Sequence, residues 1–313
     1  MSRHALDPTL FRPEAVSEET AAFNAQMRTM PPVRSWREMS LEERRQVSFG
    51  PAPRSERART IIMEAVGRKI TLHVVAPPSP KGVYMHLHGG GLVMSGADRH
   101  DPMLDRIVDT TGLACVSVGY RLAPEHPYPA AWDDAEAAAL WLAKNAKTEF
   151  GAELAAIGGE SAGATLAVPT LVRLRDKHGF TGFKAANLSY GNYDTSGSPS
   201  QTWIGAASFP INKAAIDDCS NAYAPDVGRR RDPDMSAAYA KLDRMPPALF
   251  TVGTLDPFLD DSLYLYVRWI AAGNEAELAI YPGGVHGFNN LPIPLAREAN
   301  DRIDAFLNRH AGG

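Results

Sequence analysis

A serine stands between glycines in Gly159-Glu160-Ser161-Ala162-Gly163. The apolar run "LAAIGG" precedes it, and "AGATLAVPTLVRLRDKHG", closed by Gly179, follows. The first reads as a buried strand and the second as a helix, with Pro169 a candidate kink. A sharp turn at that junction lifts a serine hydroxyl above the sheet, the G-x-S-x-G elbow. Gly159 and Gly163 are then expected to meet across the turn, which gives both a steric reason to lack side chains. The helix starting at the serine favours negative charge beside it. A hydroxyl is a poor nucleophile unless a base takes its proton, so the chain must also supply a histidine and an acid.

His286 lies in "YPGGVHGFNN", just beyond the strand-like run "AELAIYP". Asp256 lies in "LFTVGTLDPFLDDS", just beyond another such run. Asp260 and Asp261 are rivals for the acid, but they fall in the first turn of the following helix, where capping and the helix dipole account for them. The order Ser161, Asp256, His286 is the chain order Ser, Asp, His of a triad on a strand–turn–helix scaffold. Acyl transfer also needs donors for a tetrahedral oxyanion. The glycine run Gly89-Gly90-Gly91 in "HLHGGGLVMSG" lets backbone N–H groups converge, and the Ala162 N–H would join them; each such donor is worth about 10²–10³ in rate. As a phosphate loop the segment fails, because Ala97-Asp98 stands where Lys-Ser/Thr is required.

Other elements must bring these residues together. "TIIMEAV" and "KITLHVVA" read as strands around a Gly67 turn, and "GVYMHLH", "LACVSVGY", "KAANLSY" and "PPALFTVG" read as further strands. "AWDDAEAAALWLAKNA", "DSLYLYVRWIAAG" and "LAREANDRIDAFLNRH" read as helices. Apolar strands alternating with helices predict a parallel sheet covered on both faces, with the site at the carboxyl ends of the strands. Before the strands, Phe23, Met27 and Met30 recur at helical spacing as an apolar face that needs a surface to cover, and Pro31-Pro32 end that run. Ser40 and Glu43 form a capping-box pattern ahead of a second short helix, and "PAPRSERA" reads as a linker. Residues 195–245 break the rhythm with Ser, Gly, Pro and Asp, and carry one predicted helix near "NKAAIDDCSNAY". A long excursion between core strands suits a lid.

Composition narrows the classes. The chain has 313 residues and a formal charge of −4, enough for a sizeable core and without the basic footprint of a nucleic-acid binder. Arg229-Arg230-Arg231 sits among Asp226, Asp232 and Asp234 and reads as a solvated loop. Cys115 and Cys219 are the only cysteines, which makes no disulfide framework; Cys115 reads as core filling. The N-terminus lacks an apolar signal-peptide region and no apolar run reaches membrane-spanning length, so a cytoplasmic location is expected.

"HGGG", "YRLAPEHPYPAAWDD", "GGESAG", "DPFLDD" and "VHGF" together resemble the hormone-sensitive lipase family of carboxylesterases, bacterial family IV, over about residues 60–310. The resemblance implies an α/β-hydrolase fold: a mostly parallel central sheet, helices on both faces and a helical cap. The cap would comprise residues 1–55 and 195–245, and the catalytic core residues 56–194 and 246–313. It implies hydrolysis of short-chain carboxylic esters without a cofactor, with Ser161 as nucleophile, His286 as base and Asp256 as its orienter. Gly89, Gly90, Gly91 and Ala162 would form the oxyanion hole. The Arg, Glu and His of "YRLAPEHPYPAAWDD", residues 120–134, would be structural, with Pro124, Pro127 and Pro129 fixing a non-helical path before the helix at Ala130. Two residues depart from the family pattern: Glu160 stands where most members have Asp, and Tyr190-Gly191 where they have Tyr-Pro. The implied partner is a small-molecule ester; the oligomeric state is left open, a homodimer included. Two alternatives compete. His86, His88, Asp98, His100 and Asp101 could be a metal set in a metal-dependent hydrolase. A non-catalytic binding protein on the same fold is the other, as in plant gibberellin receptors, which have lost the triad histidine that is present here as His286.

Overall fold

The computed structural model describes residues 6–30, 34–48, 52–65, 67–205 and 208–311. Pro31 and Pro32, expected to end the first helix, lie outside these residues, as do Pro51 of the expected linker and Val66 before the Gly67 turn. Among the described residues, eight strands form one sheet in the order β1-β2-β4-β3-β5-β6-β7-β8. They are β1 (Ala58–Ala65), β2 (Arg68–Val75), β3 (Val83–Leu87), β4 (Ala114–Gly119), β5 (Leu154–Glu160), β6 (Ala185–Ser189), β7 (Ala248–Gly253) and β8 (Ala276–Tyr281). From β4 to β8 every pairing is parallel. The sheet is mostly parallel, as expected, and antiparallel only at one edge, where β1 and β2 form the expected hairpin around Gly67 and β2 pairs with β4.

β3, β5, β6 and β7 are buried along their whole length because both faces of the sheet are covered. In β3, Val83, Met85 and Leu87 join one core cluster while Tyr84 joins the other, the period-two alternation of a strand. The first cluster is closed by α4 (Ala130–Phe150), α5 (Ala162–His178) and α8 (Leu259–Ala271), and the second by α3 (Asp101–Thr111) and α9 (Pro294–Ala311). Pro169 lies inside a continuous α5. Sequence reading named no helix at α3, although Leu104, Ile107 and Val108 bury a helical stripe and Gly112 caps it with φ +73°.

Two segments lie outside this sandwich. The first carries α1 (Glu18–Met27) and α2 (Leu41–Arg45), the latter opened by the expected Ser40–Glu43 capping box. The expected apolar face of α1 is not what it buries. Phe23 and Met27 are half-buried and Met30 is exposed, whereas Thr20 and Asn24, one turn apart, are buried. A hydrogen bond explains this: Asn24 Nδ2 donates to Gly283 O at 2.8 Å. The second segment, within residues 195–245, carries a short α6 (Pro199–Trp203) and the expected helix α7 (Lys213–Tyr223). The basic run is not simply solvated. Arg229 pairs with Asp232, Arg230 donates to Ala224 O and Asn221, and Arg231 donates to Ser196 Oγ. Asp234, beside that run, takes two bonds from Arg173 of α5.

Candidate active site

Ser161 follows β5 directly and is the N-cap residue of α5, with φ +54° and ψ −117°. A side chain in that region costs about 1–3 kcal/mol and persists only when its surroundings impose it. Here they do. Ser161 N–H donates to Ser189 O at the end of β6 (2.9 Å), and Ser161 O accepts from Thr165 N–H (2.9 Å). The elbow glycines have a sharper reason than mutual contact. A Cβ at Gly159 would stand 1.9 Å from Leu87 O, and one at Gly163 1.8 Å from the same oxygen. The end of β3 thus presses into the elbow, and only residues without side chains admit it.

The acid and the base are brought together by two loops that zip to each other. Thr254 N–H donates to Tyr281 O (3.0 Å) and Leu255 N–H to Gly284 O (3.0 Å). A Cβ on Gly253 would lie 2.0 Å from Gly284 O, so glycine there is required by close backbone approach. The consequence is a relay. His286 Nδ1–H donates to Asp256 Oδ2 (3.0 Å) and Oδ1 (3.1 Å), which leaves Nε2 as the bare acceptor, 2.9 Å from Ser161 Oγ. Asp256 is fully buried and also accepts the Phe258 N–H (2.8 Å), so it cannot swing away. The imidazole is clamped edge-on by Tyr190 (4.9 Å between centroids) and Phe258 (5.3 Å). Sequence reading noted Tyr190 only as the residue before Gly191, which stands where the family pattern has Pro. Its hydroxyl donates to Asn289 Oδ1 in the histidine loop, and burial pushes that phenol well above its ordinary range. The neighbouring Gly191 lies under the Tyr193 ring, which a Cβ would meet at 2.5 Å.

The glycine loop lies against the serine. A Cβ at Gly89 would come 3.7 Å from Ser161 Cβ. Gly90 and Gly91 have φ +115° and +63°, and Cβ atoms there would meet Met94 O at 2.2 Å and Cys219 Sγ at 2.7 Å. Among the described residues, the N–H groups of Gly89, Gly90, Gly91 and Ala162 donate to no other group.

This sheet order, with a strained serine after its fifth strand and the histidine after its last, has relatives. The alpha/beta hydrolase fold family matches residues 84–290. The chain belongs to that family. It is 30% identical over 282 residues to an acetyl esterase of Salmonella paratyphi B, covering 87% of this chain and 86% of that protein. It resembles the hyperthermophilic esterase of the archaeon Pyrobaculum calidifontis with a TM-score of 0.79 at 27% identity, over 97% of this chain and 98% of that one. It also resembles the esterase EstE5, crystallised and soaked by p-nitrophenyl butyrate, with a TM-score of 0.78 at 27% identity, over 94% of this chain and 99% of that one.

In this α/β-hydrolase the groups read as a metal set point to other partners. His86 is fully buried, with Nδ1 on Ser117 Oγ (2.9 Å) and Nε2 on Glu160 Oε2 (3.0 Å), so both ring nitrogens are used. His88 Nδ1 lies 2.8 Å from Gly89 O, Asp101 pairs with His73 and Asp98 with Arg54. Burial and the neighbouring His86 push His100 down to about 4. No three of these groups converge on one point among the described residues. Glu160 instead supports the elbow from behind. Burial works to raise its carboxyl, but His86 and His100 hold it below the ordinary range.

Asp260 and Asp261 also have roles beyond the expected capping of their own helix. Asp260 accepts the Ser200 N–H at the start of α6 (2.8 Å). Asp261 accepts from the Tyr193 and Asp194 N–H groups (2.8 Å each), Ser198 Oγ (2.5 Å) and Gln201 Nε2 (3.1 Å). Both fasten the start of the second outlying segment to the first turn of α8, just after the loop that carries Asp256. In "YRLAPEHPYPAAWDD", Arg121 pairs with Asp134 and Glu125 with Arg44, and His126 is exposed.

Proposed function

We propose that this α/β-hydrolase is a serine carboxylesterase of the hormone-sensitive lipase type, acting on short- to medium-chain acyl esters through an acyl-enzyme. The chain is a carboxylic ester hydrolase. The observation that carries the reading is the unbroken relay Asp256–His286–Ser161, at 3.0 and 2.9 Å, with a free glycine loop against the serine. Ser161 Oγ attacks the ester carbonyl carbon while its proton passes to His286 Nε2. Asp256 stabilises the resulting imidazolium. The carbonyl oxygen becomes an anion facing the N–H groups of the Gly89-Gly90-Gly91 loop and of Ala162. The tetrahedral intermediate collapses, the C–O bond breaks and the alcohol leaves with the proton from His286. Water then repeats the sequence on the acyl-enzyme, with His286 as base, and releases the acid.

Residues 1–55 and 195–245 would form the cap over this centre. Bonds from both segments to loops at the strand ends support that assignment: Asn24 to Gly283, Asp261 to residues 193–201 and Cys219 against Gly91. A covered pocket favours short acyl chains, in keeping with the acetyl esterase relative. Hydrolysis of p-nitrophenyl esters from acetate to palmitate tests the reading. Maximal kcat/KM is expected at about two to eight acyl carbons, and preference for long-chain emulsified triglycerides would refute the capped-pocket claim.

A further inference from the structure

The glycine loop runs into a strained turn. Beyond Gly90 and Gly91, φ is +62° at Leu92 and +73° at Ser95, and both residues carry side chains that disfavour it. The turn closes on itself through the Val93 and Met94 N–H groups to Gly90 O (3.1 and 3.0 Å). Those bonds shape it without fixing it to the rest of the molecule. The external holds are two backbone bonds and one charged side chain in the N-terminal segment. Arg44 Nη1 donates to Val93 O (2.9 Å) and to Ala123 O (2.8 Å), and Nη2 donates to Glu125. The Arg44 carbonyl accepts the Ser95 N–H at 2.7 Å, and Ala123 N–H donates to Leu92 O at 2.9 Å. The guanidinium carbon lies 5.7 Å from the Trp36 ring centroid. In α2 the neighbours Glu42, Glu43 and Arg45 are exposed, whereas Arg44 is 3% exposed. This buried cation ties the turn, through Val93 O, to the neighbouring stretch that carries Ala123 and Glu125.

We propose that Arg44 is a positioning residue that holds the glycine loop so that the Gly90 and Gly91 N–H groups stay aimed at the reacting oxygen. This rests on the reading of that loop as the oxyanion donor. The planar fork of arginine reaches two carbonyls and a carboxylate at once, whereas lysine offers one flexible ammonium and cannot reproduce the set. Because bonds to an oxyanion exist only once charge has developed, a misaligned loop lowers kcat and leaves ground-state binding nearly unchanged.

The test uses the full chain with Arg44→Met, which keeps the apolar stem, and Arg44→Lys, which keeps the charge. Both are assayed on p-nitrophenyl butyrate and for binding of a butyl trifluoromethyl ketone, whose serine adduct carries an oxyanion, beside its non-fluorinated parent. In folded R44M, kcat is expected to fall roughly tenfold to a hundredfold, with KM within about threefold and with trifluoromethyl ketone affinity lowered by the same factor as kcat. R44K is expected to fall in the same direction. Wild-type kcat in folded R44M, or a change confined to KM, overturns the proposal. If R44M does not fold, R44K decides, and wild-type kcat there overturns it equally. If the native enzyme hydrolyses esters yet binds the fluorinated ketone no tighter than its parent, the oxyanion reading itself fails, and the proposal with it.

Discussion

The strand ends that carry Ser161, Asp256 and His286 and the two segments outside the sandwich are held by different mixtures of forces. β5 and β7 are buried along their whole length, and the serine and the acid follow them closely. Burial of that kind is non-directional and sums over many side chains. The outlying segments place Trp36, Tyr223, Met235 and Leu242 in the first core cluster and are tied further by single polar groups: Asn24 to Gly283 O, Arg44 to Val93 O and Ala123 O, and Asp261 to residues 193–201. Asp234 fixes the far end of the second segment, taking bonds from Arg173 and the Tyr128 hydroxyl while its own carbonyl accepts Trp132 Nε1–H at 2.8 Å. Removing one such polar partner strands the other in the interior at a cost of about 1–3 kcal/mol. The surroundings of Ser161 are constrained differently, by shape: a Cβ at Gly159 or Gly163 would stand 1.9 or 1.8 Å from Leu87 O.

The largest break in that contrast is Ser161→Ala. Turnover should fall by about 10⁴–10⁶ while circular dichroism stays native, since the sheet does not depend on the hydroxyl. Near-native activity would remove the nucleophile assignment. A smaller loss is expected for a chain lacking residues 1–45. Its sheet should remain, and a small phosphonate should still label Ser161, while turnover falls by roughly tenfold or more because water reaches the site and the Arg44 bonds are gone. Full activity on every chain length would show that the segment covers nothing; an unfolded product would place it in the core.

The smallest effect concerns Asp261. Burial pushes its carboxyl up to about 6, against bonds from Ser198, Gln201, Asp194 and Tyr193 that pull it down. A carboxyl that holds its proton more tightly when folded stabilises the fold most below its unfolded value of about 4, and that contribution is lost as pH rises through 6. Asp261→Asn cannot ionise. It should flatten the change in stability between pH 4 and 7 by on the order of 2–3 kcal/mol, read from denaturant midpoints at each pH. An unchanged slope would mean that Asp261 does not titrate there.

Sequence reading reached the strand ends more easily than the segments above them, and the reason is the same difference in forces. Apolar runs and G-x-S-x-G are local signals, so β5, the elbow and the order of Ser161, Asp256 and His286 could be read without partners in view. Helix α3 was also within reach, since Leu104, Ile107 and Val108 are periodic and Gly112 follows them. The buried face of α1 was not. Thr20 and Asn24 are inside because a carbonyl distant in sequence awaits them, and an asparagine carries no mark of its partner. The same holds for Asp260 and Asp261, which sit where capping acids belong yet bond to the start of the other segment. The Leu87 carbonyl that excludes side chains at Gly159 and Gly163 belongs to another strand, so the glycines were legible and their cause was not.

The sheet order has a consequence for the chain as it is being made. After the β1–β2 hairpin, β3 and β4 pair, and then β5, β6, β7 and β8 are added outward in the order in which they are synthesised. Each new strand meets an edge that is already complete, so growth from the ribosome and growth of the sheet run in the same direction. Ser161 is laid down with β5 and Asp256 after β7, but His286 is the last of the three to arrive, with the loop that leaves β8. In the proposed triad, a chain that stops short of His286 would carry the nucleophile and the acid and lack the base between them.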